Sequence, residues 1–80
     1  MTIRAYILLT AEVGRLKRVL EEVRAIQGVI KADAVAGPYD AIIEVEAADL
    51  EELERILRDV QNVSGVVSVT TEVIGDLEEE

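Results

Sequence analysis

The chain repeats its own pattern at a spacing of 37 residues, and this constrains its fold more than any other feature. Val13, Leu16, Val19, Leu20, Val23 and Ile26 recur as Leu50, Leu53, Ile56, Leu57, Val60 and Val63. Each set has helical spacing and forms one apolar stripe along an otherwise polar segment. Each stripe runs into a glycine and a valine, Gly28-Val29 in the first half and Gly65-Val66 in the second. Glycine stops a helix because it enters the left-handed region without a Cβ penalty, and β-branched residues then favour a strand. The spacing therefore predicts helix followed by strand, twice.

Further strands fit around these units. In residues 3–9, Ile3, Ala5, Ile7 and Leu9 share one face and Tyr6 and Leu8 the other, so both sides are apolar. Residues 29–36, 41–47 and 66–74 read as three more strands. Thr10 is placed to cap the first helix, which extends to about Gln27, with Arg18 and Glu22 one turn apart. Asp49 caps the second helix, and Glu52 follows at the spacing of a reciprocal cap. Two β-α-β halves joined by a hairpin make an α+β, ferredoxin-like β-α-β-β-α-β sandwich. It has a four-stranded antiparallel sheet with both helices on one face, because crossovers are right-handed. Residues 1–75 form one domain, and residues 76–80 an acidic C-terminal tail.

The sheet face away from the helices carries the first hint of function. Tyr6 with Leu8, Ile30 with Ala32 and Ala34, and Val67 with Val69 are expected to leave apolar side chains there. Hydrophobic residues make up 50% of a chain of only 80, which points the same way. A second copy packed sheet to sheet would bury that surplus and form a dimeric α/β barrel.

Charge and composition exclude several activities. With 17 acidic and 8 basic residues the net charge is -9, which opposes direct contact with nucleic acid or anionic membranes. Cysteine and histidine are absent, removing disulfides, thiolate metal sites and the commonest general base. The acidic pairs Glu44/Glu46 and Glu51/Glu52 read as solvated faces, so no metal site, cofactor or catalytic residue is assigned. No apolar run resembles a leader or a membrane span, which makes a cytoplasmic protein the expectation. Arginine outnumbers lysine six to two, and asparagine plus glutamine total three, a composition resembling a thermophile's.

The most distinctive local feature is Gly37-Pro38-Tyr39-Asp40, between the second and third strands. Gly37 admits positive φ and close approach of a ligand, Pro38 sets one dihedral, and Asp40 can cap the turn or face an ammonium group. The same residues are ordinary turn formers, and both readings stand at this point.

This hairpin, the strand Ala41-Ile42-Ile43-Glu44-Val45, Asp49-Leu50 at the second helix and Gly65-Val66 before a threonine-bearing last strand together resemble the Lrp/AsnC effector-binding (RAM) domain. The resemblance covers essentially the whole chain. It implies a stand-alone form without the helix-turn-helix, since the first strand starts at Ile3. It also implies homodimers assembling into higher, ring-like homo-oligomers, with a free amino acid as effector bound at clefts between subunits. Gly37, Pro38, Tyr39 and Asp40 would then receive the ligand's charged ends, and Thr71 would hydrogen-bond it. Val69 stands where the family has a second threonine, and Ser68 where an arginine is common. A copy without a DNA-binding part would act in transcription regulation by sensing a metabolite, or by co-assembling with a full-length relative. An ACT-like module with its ligand near residues 10–14, and a purely structural oligomerisation module, are the alternatives. An enzyme of the dimeric barrel type would need groups that this chain lacks.

Overall fold

The structure is a computed structural model that describes residues 2–75; the acidic tail at 76–80 lies outside the described residues. The elements run β1 (Ile3–Ala11), α1 (Leu16–Arg24), β2 (Val29–Ala34), β3 (Ala41–Ala47), α2 (Leu50–Gln61) and β4 (Val66–Gly75), the expected order. The sheet is ordered β2-β3-β1-β4, and every neighbouring pair is antiparallel. Each half is thus a split β-α-β unit, with a strand of the other half inserted between its own two.

One core holds the sandwich together. Ala5, Ile7 and Leu9 of β1 and Ala41, Ile43, Val45 and Ala47 of β3 form its floor. Val19, Leu20 and Val23 of α1, with Leu53, Ile56 and Val60 of α2, form the roof. The repeat has a direct structural counterpart. Gly28 and Gly65 both have left-handed φ, +103° and +100°. A Cβ at Gly28 would meet the Ile56 side chain, and one at Gly65 would lie 3.0 Å from Val19 Cγ2. Val19 and Ile56 are themselves repeat partners, so each half leaves room at its glycine for the other half's helix.

The helix ends differ from expectation in part. Asp49 caps α2 as predicted, its Oδ1 accepting from Glu52 N at 2.8 Å. Glu52 reaches back one residue further than a reciprocal cap, to Ala48 N at 2.7 Å. Arg18 and Glu22 pair at 3.3 Å. Thr10, however, caps nothing. β1 continues through it to Ala11, and its hydroxyl lies 2.7 Å from that of Ser68. A turn follows, with Arg15 N donating to Glu12 O at 3.0 Å and Gly14 at φ +83°. α1 therefore begins at Leu16 without a side-chain cap, and Val13 stands fully exposed on the turn instead of joining the stripe. Leu50, at the first turn of α2, is also exposed. α1 stops at Arg24, short of Gln27, because the next two amides bond three residues back, tightening the last turn. β2 ends at Ala34, two residues short of the expected Ala36.

The open sheet face is less apolar than expected. Tyr6 and Leu8 lie on it, with Ile42 opposite Leu8. Ala32, Ala34 and Val69 are opposite Ile43, Ala41 and Leu9, on the helix side. The cause is a pair of register shifts. Val29 pairs with Val45 but Lys31 with Glu44, leaving Ile30 as an extra residue. Val66 pairs with Ala11 but Ser68 with Thr10, leaving Val67 as another. An extra residue reverses the alternation beyond it. The two bulges are themselves 37 residues apart, so the irregularity is repeated with the rest.

The glycine contacts give a stability prediction. Gly14 has open space around its Cα, whereas a Cβ at Gly28 would also lie 3.3 Å from Glu46 O. Gly14→Ala should cost about 1–2 kcal/mol from left-handed backbone alone. Gly28→Ala should cost clearly more, since the Ile56 side chain must also move. Urea midpoints of the two variants measure the difference, and equal losses would contradict the packing described.

Candidate functional site

Three hydrogen bonds centre on Asp40: two tie the loop between β2 and β3 to the end of β1, and one closes the loop on itself. Asp40 N donates to Leu9 O at 2.8 Å, and Asp40 O accepts from Val35 N at 2.9 Å. Its carboxylate Oδ2 accepts from Ala11 N at 2.8 Å. The carboxylate thus satisfies the amide of Ala11, two residues beyond the end of the β1–β3 ladder at Leu9 opposite Ala41. Gly37 has φ +153° with nothing within 4 Å of a Cβ position, so its backbone is open to approach. Pro38 is exposed, while Tyr39 and Asp40 are half-buried.

Thr71 lies elsewhere. It pairs with Ile7 on β4 and faces the helix side of the sheet, half-buried. Asp40 sits level with the far end of β1. The two are therefore separated by roughly 10 Å along the strands and about two strand spacings across them. One chain brings residues 37–40 together but does not join Thr71 to them. Beside the hairpin stand the paired hydroxyls of Thr10 and Ser68 instead. The sequence reading missed this pair because it assigned Thr10 to a helix cap. The alternation of β1, continued two residues further, was the signal.

The open face offers a second surface. Tyr6, Leu8 and Ile42 occupy its middle. Arg4 sits at one end, 3.2 Å from Glu46 and 3.9 Å from Glu44, so that acidic pair has a cationic partner. Lys31 and Asp33 pair at 3.6 Å on β2. Tyr6, Ile42, Glu44, Lys31 and Asp33 enclose a shallow hollow of about 150 Å³. Among the described residues no three acidic side chains converge as a metal site would require.

With this geometry in view, comparison with known proteins is decisive on one point. The model of the Lrp/AsnC ligand binding domain matches residues 4–76. The chain belongs to the Lrp/AsnC ligand-binding domain family. An uncharacterized HTH-type transcriptional regulator of Pyrococcus horikoshii is 34% identical over 71 residues, covering 88% of this chain and 45% of that protein. The chain thus spans a little under half the length of the regulators it matches. The homocitrate synthase of Sulfolobus acidocaldarius is 39% identical over 49 residues, covering 61% of this chain but only 10% of that enzyme. Among solved structures, a Thermus thermophilus protein superposes with a TM-score of 0.87 at 25% identity, covering 92% of this chain and 94% of that one. A hypothetical protein of Pyrococcus horikoshii gives 0.84 at 27% identity, covering 100% and 98%. A Neisseria meningitidis transcriptional regulator solved as a complex with L-Met gives 0.79 at 17% identity, covering 94% of this chain and 51% of that one, a likeness of fold. Solved structures of about this chain's size therefore share its fold, as do regulators about twice as long. No helix of the described residues is long and apolar enough to cross a membrane.

Asp40 supplies the prediction here. Asp40→Ala removes the acceptor for Ala11 N at a partly buried position and should destabilise the chain by about 1–3 kcal/mol. Asp40→Asn keeps a carbonyl oxygen and should cost less. Thermal unfolding without any ligand is the measurement, and an unchanged midpoint for Asp40→Ala would remove the structural role assigned to this carboxylate.

Proposed function

We propose that this chain is an effector sensor that binds a free amino acid at the boundary between two copies of itself and acts on transcription through its assembly state. The observation that carries this reading is the open sheet face. Tyr6, Leu8 and Ile42 are partly exposed in the middle of a sheet that no helix covers on this side, and a second sheet fits there. Family membership supports the ligand class, as does the L-Met complex of a regulator sharing the fold.

The arrangement has a chemical logic. An amino acid carries an ammonium and a carboxylate, which need an acceptor and donors close together. The backbone at residues 37–39 is approachable through Gly37, and Asp40 next to it brings a carboxylate. Asp40 Oδ2 is already used by Ala11 N, so an ammonium would share a carboxylate that also holds the hairpin to β1. Ligand binding is thereby coupled to the position of that loop. Thr71 cannot serve the same ligand from within one chain and acts on it, in this reading, from a second copy. The mechanism is linkage: a ligand held between subunits favours the assembly that forms its site.

The chain acts as a regulatory module and not as an enzyme in its own right. The match to homocitrate synthase involves a tenth of that protein, the scale of an appended module. A net charge of -9 keeps the chain itself off nucleic acid, so DNA contact falls to a full-length relative with which it co-assembles.

Calorimetry and thermal shift against a panel of the free amino acids test the proposal, with sedimentation run alongside. A ligand at a hundred times its Kd stabilises by about 2.7 kcal/mol, which raises the midpoint of a domain this size by several degrees or more. At least one amino acid should do so and change the sedimenting species. No response from any of them, with the assembly intact, would leave a structural oligomerisation module as the better description.

A further inference from the structure

A second hollow, of about 340 Å³, lies on the outer edge of the sheet, enclosed by Arg24 at the end of α1 and by residues 29–33 of β2. Arg24 donates from both Nη2, at 2.6 Å, and Nε, at 3.1 Å, to Ala32 O, which holds its guanidinium in one place at the strand edge. Among the described residues Nη1 has no acceptor, and the guanidinium has no carboxylate partner. Val35 N donates to Asp40 O, so the pair three residues on, Ala32 with Ile43, falls in the alternate class that exchanges no hydrogen bonds. Ala32 N–H and C=O therefore both point out of the sheet, and Arg24 takes only the carbonyl.

Lys31 borders the same hollow from the other face of the sheet. Its ammonium lies 3.6 Å from Asp33 and, with three N–H groups, keeps donors to spare. Val29 and Ile30 supply an apolar wall, Ile30 being the bulged residue and 55% exposed. The other half of the chain is an internal control. It carries the same kind of bulge, at Val67, on its own edge strand. There the repeat partners of Arg24, Lys31 and Asp33 are Gln61, Ser68 and Thr70, all uncharged. A helix, a bulge and an edge strand thus form in that half without these three charges, so the fold does not require them.

The geometry points to a binding site at this edge for a small monocarboxylate with an apolar tail. Its carboxylate takes Ala32 N–H and Arg24 Nη1, with the Lys31 ammonium on the other side, and charge-assisted bonds of this kind are the strong ones. Its tail lies along Val29 and Ile30. Two cations stand against one carboxylate here, so the hollow is locally positive in a chain of net charge -9. Salt screens the remote acidic groups beyond about 8–10 Å. Asp33 is engaged by Lys31 and would repel a doubly charged phosphate. With donors in excess of acceptors, a plain carboxylate fits better than a dianion or a zwitterion. Every group comes from one chain, so this site stands apart from the effector site proposed above between copies.

Isovalerate is the probe, and the NMR signals of the Ala32 amide and of Arg24 Nε–H in the full chain are the readout. Both should shift along a saturable curve at millimolar concentrations. Acetate should bind at least about fivefold more weakly, since each buried methylene strengthens binding roughly fourfold. Isoamylamine, with the same tail and the opposite charge, should shift neither signal. Arg24→Gln keeps a donor for Ala32 O but removes the charge, and should weaken isovalerate binding at least about tenfold, read at Ala32. Lys31→Gln, at an exposed position, should weaken it about threefold. Shifts that do not saturate, equal affinity for acetate, unchanged binding in both variants, or tighter binding of inorganic phosphate or isoamylamine would each overturn the proposal.

Discussion

The sandwich depends on a reciprocal close approach between its two halves. Ile56 of the second helix lies over Gly28, and Val19 of the first helix lies beside Gly65. Each glycine stands in a left-handed conformation in the turn between a helix and the strand that follows, and each leaves space that a Cβ would fill. The helices can therefore sit low enough on the sheet to bury an aliphatic core with almost no aromatic volume in it. Large rings would hold the layers further apart. Valine, isoleucine, leucine and alanine fill the narrow space at close packing, and the glycines set how narrow it is.

This explains what the sequence disclosed and what it did not. The 37-residue repeat was legible because both halves solve the same packing problem, and it predicted the element order and most of each helix stripe, while the helices stop before their glycines, which serve the packing between the halves. The face of each β2 and β4 residue was not legible in the same way. Period-two counting from Val29 puts Ala32 on the wrong side, since nothing in the residue types marks Ile30 as the extra one. Only the demand that Val29 and Ala32 both reach the core reveals a bulge between them. The start of α1 failed for a related reason. Thr10 is an acceptable cap and an acceptable strand residue, and local chemistry does not choose between them. Pairing with Ser68 across the sheet does, and that partner lies in the other half of the chain.

The candidate site was legible as a hairpin and less so as a pocket. Gly37-Pro38-Tyr39-Asp40 stood out because glycine, proline and aspartate in succession restrict the backbone so strongly. Of the two readings left open for them, the structure bears out turn formation, and ligand contact is a proposal. Asp40 completes the hydrogen bonding of β1 through Ala11 and leaves the backbone of Gly37 exposed beside it. Under the proposed ligand contact, a pull on that carboxylate would be felt at the end of the central strand, because Asp40 fastens the loop there. Sequence could not reveal that Thr71 stands two strands away, since the distance follows from strand order and not from spacing along the chain.

Under the proposed pairing of two copies through the open face, the balance of forces favours an assembly that can be tuned over one that is permanent. Burying Leu8 and Ile42 contributes about 1.5–3 kcal/mol for each side chain at most, from a partly exposed start. Each added copy brings a charge of -9, and its repulsion opposes association more strongly as salt is lowered. Arg4, placed between Glu44 and Glu46, offsets part of that charge within the face itself. In that reading a few kcal/mol of differential ligand binding would decide which assembly prevails. The placement of Ala32, Ala34 and Val69 on the helix side, which the bulges produce, keeps that apolar surface off the face through which the proposed pairing would run.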